Sequence, residues 1–324
     1  MSEAAVRAAA SGAQWIDAAP NYATGGGADP ARPHPRRTPG PADLHECWLP
    51  HLDHGYRRRE RRFSHRGPGP GRAQPHPGSR ALADRPQPTQ LGRDRLDLVL
   101  WHNPERAHPG GRAALHRAIR DAFAILEEAV AAGHAAGYGI ATWAGLEEEA
   151  FTVGELLTLA AKAAGGRHHL AAIQLPVSLL MMTPIAQAFH GRGPLPVADG
   201  AGLRVMASAP LHGGQLPSMV GQELADLIRP GLTPARACTL SVASCPGVTD
   251  VLIADSSTSH WKEAADAVAE PTLTAAQLRE ITGVLASPLT RTPNSACQPT
   301  TPAPPPADRR GRSQVLMSLD LAQR

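Results

Sequence analysis

The chain has 324 residues, 42% of them apolar, and a net charge of +3, so it can build one large α/β domain or two ordinary ones. So small a charge makes no case for a nucleic-acid partner, and no run of 18 apolar residues offers a membrane span. Met1-Ser2-Glu3 opens without the basic and apolar regions of a signal peptide, and Cys47, Cys238, Cys245 and Cys297 show no metal or redox spacing, so a cytoplasmic protein with reduced thiols is expected.

Ser2 to Ala10 predicts a helix with Ser2 as cap and Gly12 as stop, and Gln14–Ala18 predicts a strand. Composition then changes abruptly. Residues 25–92 hold twelve prolines, six of the 15 histidines and the run Arg57-Arg58-Arg59-Glu60-Arg61-Arg62, with no apolar periodicity. No strand is expected there, and the stretch reads as irregular, Pro/Arg-rich and disordered. His45, Glu46, Cys47, His51 and His54 fit no zinc motif, so no metal is expected. The arginine run lacks regular aromatic interleaving and reads as a solvated segment.

From 93 to 286 the pattern is that of alternating strands and helices. Leu98–Trp101 is a short continuous apolar run, expected as a buried parallel strand over 96–102. It ends in His102 and is broken by Asn103-Pro104. Further strands are predicted at 137–143, 171–176, 203–208 and 248–254. Helices are predicted at 114–132, 146–164 (opening on Glu147-Glu148-Glu149), 184–190, 218–228, 234–244 and 257–268. Alternation of this kind argues a parallel sheet with helices outside. Six strands in all fall short of the eight that a closed (β/α)8 TIM barrel requires, so an incomplete barrel over 1–286 is expected. Residues 287–324, with Pro304-Pro305-Pro306, read as a disordered tail.

The segments Trp15-Ile16-Asp17-Ala18-Ala19-Pro20-Asn21-Tyr22 and Leu98-Val99-Leu100-Trp101-His102-Asn103-Pro104-Glu105 resemble the aldo-keto reductase family, and the likeness extends over about 1–24 and 93–280. The resemblance implies reduction of a small-molecule carbonyl, or the reverse, by the cofactor NADP(H). It implies Tyr22 as general acid, His102 as the group that orients the carbonyl, and Asp17 as partner of a lysine that lowers the tyrosine pKa. Such tuning is needed because an ordinary tyrosine titrates near 10. For the cofactor it implies Thr142 and Gln174 on the nicotinamide carboxamide and Ser208 beneath the ring. Pro210, Leu211 and Gly213 would cover the pyrophosphate, with Ser256, Ser257 and Glu263 at the adenosine end.

One element of that pattern is missing. The lysine belongs to a strand between Tyr22 and His102, and residues 25–92 contain no lysine; the chain has only Lys162 and Lys262. Arginine stays charged and needs more room, so it is no substitute. Without a cation nearby Asp17 is expected to titrate upward. Two histories fit: compensating frameshifts in a GC-rich gene, or an insertion that replaced the strand. The first predicts that the DNA of residues 25–92, read in its other forward frames, spells an apolar strand ending in lysine. Sequencing the locus checks it, and no such stretch in either frame leaves the insertion. The chain is accordingly expected to be an impaired oxidoreductase, a silent barrel that binds nucleotide or a protein partner, or the product of a damaged gene.

Overall fold

The computed structural model describes residues 15–18, 42–47, 95–107, 110–254, 258–286 and 316–320. Eight strands form a closed barrel in chain order: β1 (Trp15–Ala18), β2 (Ala42–Cys47), β3 (Leu98–His102), β4 (Tyr138–Ala141), β5 (Leu170–Pro176), β6 (Arg204–Ser208), β7 (Asp250–Ala254) and β8 (Leu316–Asp320). β1 to β7 run parallel, each paired with the next. β8 runs antiparallel between β7 and β1 and closes the ring. The fold is a (β/α)8 barrel lacking one of its eight parallel strands, with an antiparallel strand in the gap.

Side chains alternate along each strand, and the two faces have different fates. Leu98, Leu100, Ala141, Ala172, Met206 and Leu252 form an apolar cluster of their own, contributed by five successive strands facing the barrel axis. Val99, Trp101, Ile140, Ile173, Leu175 and Val205 point outward into the larger core beneath the helices. The inward face of β4 is kept thin by Gly139. A Cβ there would lie 2.3 Å from the Ala172 carbonyl oxygen and 2.7 Å from Leu100 Cδ2. Two residues further along, the same alternation turns His102, Gln174 and Ser208 toward the axis at the C-terminal ends of their strands.

The helices are α1 (Gly111–Ala131), α2 (Val153–Ala164), α3 (Thr183–Ala188), α4 (Pro194–Gly200), α5 (Leu216–Ile228), α6 (Pro234–Ala243), α7 (Thr258–Ala269) and α8 (Ala275–Ala286). α1 buries Leu115, Ile119, Ala122, Phe123 and Leu126, a stripe at helical spacing. At its far end Glu127 accepts hydrogen bonds from Tyr138 Oη (2.8 Å), the His169 backbone N–H (2.8 Å) and His169 Nδ1 (2.6 Å), tying helix to barrel. Burial opposes ionisation of Glu127, but the bonds from His169 and Tyr138 prevail and hold its carboxyl below the usual range. α2 begins later than the acidic triplet suggests. Thr152 accepts from the Glu155 N–H at 3.2 Å while Glu155 Oε2 accepts from the Thr152 N–H at 2.8 Å, a reciprocal cap that fixes the start at Val153. Glu147–Glu149 lie in the preceding turn, with Glu149 at φ 53°. Cys238 and Cys245 are buried, and burial pushes both thiols up to about 12, as inert core residues.

The six strands expected from sequence are present within a few residues. Two more are corrections. β2 lies inside 25–92, where no strand was expected, and β8 lies inside the tail expected to be disordered. Neither Ala42-Asp43-Leu44-His45-Glu46-Cys47 nor Leu316-Met317-Ser318-Leu319-Asp320 is a continuous apolar run, and backbone pairing on both sides overrides weak local preference. The predicted helix at 2–10 and the remainder of 25–92 and 287–324 lie outside the described residues. Among the described residues no helix is long and apolar enough to cross a membrane, and no group of three or more His, Cys, Asp or Glu could hold a metal ion.

Candidate functional site

The C-terminal mouth of a parallel barrel is where strand ends present polar groups to a ligand. Asp17 on β1 is fully buried. Across the barrel, Gln174 on β5 is 4% exposed and donates from Nε2 to Asp17 Oδ2 at 3.3 Å. These strands stand on opposite sides of the ring, so the contact spans its interior. Thr142, directly after β4, is also buried. Its N–H donates to the Gln174 carbonyl at 2.9 Å and its Oγ1 accepts from the Gly145 N–H at 2.9 Å. A Cβ at Gly145 would lie 2.8 Å from that Oγ1, so the turn needs glycine.

His102 closes β3, half-buried, with Asn103 Nδ2 3.0 Å from its Nε2. The Asn103 N–H donates to the Ala141 carbonyl at 2.7 Å. Two positions on, Glu105 Oε1 accepts the backbone N–H groups of Trp143 (3.1 Å) and Ala144 (3.3 Å). The turn that carries Thr142 is thus held from β3 as well as from β5. Between that turn and α3, a shallow groove is lined by Trp143, Glu147, Met181, Thr183 and Gln187 among others. Neither Asn103 nor Glu105 stands out in the sequence except as a strand break and its sequel. Only the spacing of a carboxylate directly after an Asn-Pro break could have pointed to the second.

Ser208 ends β6, half-buried, and its carbonyl accepts the Val177 N–H at 3.1 Å. The loop beyond it carries Ala209 at φ 51°, His212 at φ 47°, Gly213 at φ 65° and Gly214 at φ 85°. Leu211 (φ −106°, ψ 9°) precedes left-handed His212, whose N–H donates to the Ala209 carbonyl at 3.0 Å, while the Gly214 N–H donates to the Leu211 carbonyl at 2.9 Å. Pro210 is buried, Leu211 half-buried and Gly213 exposed.

Glu263 lies on α7, where its Oε1 accepts from Thr233 Oγ1 at the N-terminus of α6. Lys262 is exposed and paired with Asp266 at 2.7 Å, and Lys162 lies on α2. Neither lysine reaches Asp17, whose Oδ2 accepts from a neutral amide. Tyr22, Ser256 and Ser257 lie outside the described residues. The structure therefore brings Asp17, Gln174 and Thr142 into one hydrogen-bonded set with His102 beside it, and leaves Glu263 engaged elsewhere.

Substitution of Gln174 by Glu tests the cross-barrel contact. Two buried carboxylates so close share a proton, which raises one folded-state pKa. A raised pKa contributes stability that is present at low pH and lost as pH rises through it. The Gln174→Glu variant is expected to unfold at lower urea than the parent, by about 3 kcal/mol at about pH 8 and much less at about pH 5. A deficit independent of pH would show that the two side chains do not face each other.

The chain belongs to the aldo/keto reductase family, whose sequence profile matches residues 87–286, more than half of its length. It is thereby a member of a family of oxidoreductases. An aldo-keto reductase from Klebsiella pneumoniae, solved in complex with NADPH, is similar in fold: TM-score 0.56 and 21% identity, over 89% of this chain and 86% of that one. The glycerol dehydrogenase of Gluconobacter oxydans is similar at TM-score 0.58 and 16% identity, over 93% and 88%. No curated protein sequence matches the chain.

Proposed function

We propose that the barrel mouth binds a nicotinamide dinucleotide, NADP(H), and that the chain interconverts a small-molecule carbonyl and its alcohol with impaired efficiency. The observation that carries this reading is the hydrogen-bonded set Asp17, Gln174 and Thr142 at the strand ends, with His102 adjoining. The fit to the cofactor rests on two features. The buried Gln174 amide and Thr142 are fixed at the mouth, suited to a carboxamide. The left-handed turn with Pro210, Leu211 and Gly213 follows directly on Ser208 and is proposed to cover the pyrophosphate. Ser256, Ser257 and Glu263 are proposed for the adenosine end. When bound, the cofactor supplies the hydride. Tyr22 is the proposed proton donor to the alkoxide, and His102 orients the carbonyl oxygen. Asp17 is the buried carboxylate that in the family would hold a lysine.

A second reading is a catalytically silent barrel that still binds nucleotide or a protein partner. It is favoured by the lack of any lysine in residues 25–92, where the family's lysine strand falls. The third, a product of a damaged gene, predicts neither binding nor turnover. Titration of the full chain with NADPH, followed by nucleotide fluorescence, separates them. Saturable binding with slow oxidation in the presence of an aldehyde panel is expected. Binding without any oxidation supports the silent barrel, and no binding removes both readings.

A further inference from the structure

We propose that Asn103 holds His102 as the neutral tautomer with its proton on Nδ1, and is thus a positioning residue for the imidazole. The meaning of this for function rests on the reading of His102 as the group that orients a carbonyl. Asn103 stands at φ 46°, in the left-handed region that asparagine tolerates better than most side chains. Its backbone is fixed on both sides. The N–H donates to the Ala141 carbonyl at 2.7 Å, and the Asn103 carbonyl accepts the Arg106 N–H at 3.1 Å. This turn directs the side chain back to the preceding residue, with Nδ2 3.0 Å from His102 Nε2.

An amide nitrogen can only donate, so Nε2 accepts, and the proton of the neutral ring sits on Nδ1. Asn103 Oδ1 is buried and has no hydrogen-bond partner among the described residues, so no donor on that side dictates the orientation. Turning the amide over would set Oδ1 against Nε2 and require the proton there. Amide orientation and ring tautomer therefore change together. In the arrangement observed, Nε2 cannot donate to a carbonyl oxygen. Asn103 must turn over or withdraw before His102 offers an N–H from that atom.

The test reads the ring itself. The full chain, labelled with ¹⁵N-histidine, is examined by long-range proton–nitrogen correlation at about pH 8.5, where an ordinary imidazole of pKa about 6.5 is neutral. The His102 signals are assigned by their loss in His102→Gln. In the parent, Nδ1 is expected protonated and Nε2 bare. Asn103→Asp keeps a residue that tolerates positive φ but offers only acceptors, so the proton is expected on Nε2 or on both nitrogens. Asn103→Gly keeps the turn, deletes the amide and is expected to give a mixture of tautomers. A parent carrying its proton on Nε2 overturns the proposal. So does a tautomer unchanged in Asn103→Asp, or in Asn103→Gly should the aspartate variant not fold. The spectra need neither cofactor nor turnover, so a silent barrel would still give the expected result and the two readings fail separately.

Discussion

Turnover of simple aldehydes with NADPH is expected to be at least about a thousandfold slower in this chain than in an intact member of its family. A positioned acid–base group contributes on the order of 10²–10⁴. In this chain the group that would lower the proton donor's pKa has no counterpart, because residues 25–92 contain no lysine and Lys162 and Lys262 sit on outer helices. The buried partner it would have is Asp17, which accepts from the Gln174 amide. That amide is also the group proposed for the nicotinamide, so weaker cofactor binding adds to the loss. Absorbance of NADPH against a broad aldehyde panel measures it. A rate of about 1–10 s⁻¹, ordinary for enzymes, would show that another residue replaces the lysine.

Replacing Asp250 with alanine is expected to cost about 3–5 kcal/mol, because it breaks a buried pair from one side. Asp250 opens β7 and is fully buried. Arg204 opens β6 and grips it with two bonds, Nε to Oδ2 at 2.7 Å and Nη2 to Oδ1 at 3.2 Å, a bidentate geometry. Thr249 Oγ1 adds a third at 2.7 Å and itself bridges to Val205, accepting its N–H at 2.9 Å. The substitution leaves a mostly buried guanidinium without this carboxylate. The urea midpoint should fall with an unchanged slope. Replacing Arg204 with Met in the same protein should recover part of the loss, since removing both charges costs less than stranding one. A loss below about 1 kcal/mol would place the pair among solvent-screened surface contacts.

Much of the barrel was readable in the sequence because its central strands are buried on both faces. Leu98–Trp101 and Val251–Ile253 are unbroken apolar runs, and such runs have few other destinations. His102 and Gln174 could be placed at strand ends for the same reason. β2 and β8 could not, since their residues acquire strand structure from neighbours on both sides rather than from their own composition. The Asp17–Gln174 contact was also hidden. It joins residues distant in the chain, and only closure of the ring brings them together. Asn103 read as punctuation because an Asn-Pro step ends a strand whatever else its side chain does. Glu147–Glu149 read as a helix start because negative charge favours that position, but Thr152 and Glu155 supply the reciprocal cap and won.

The antiparallel closing strand also sets the order of assembly. β8 meets β7 at Leu316 opposite Ala254, about 60 residues back, and meets β1 at Leu316 opposite Asp17, about 300 residues back. Loop-closure entropy makes the longer connection dearer by roughly 1–1.5 kcal/mol, at about 0.6 for each doubling. During synthesis β1 emerges first yet waits for a partner that is made last. Pairing with β7 is therefore expected before the seam against β1, which is the more non-local of the two. Until then both margins of the sheet are unpaired, and an unpaired margin is a template for association with another chain.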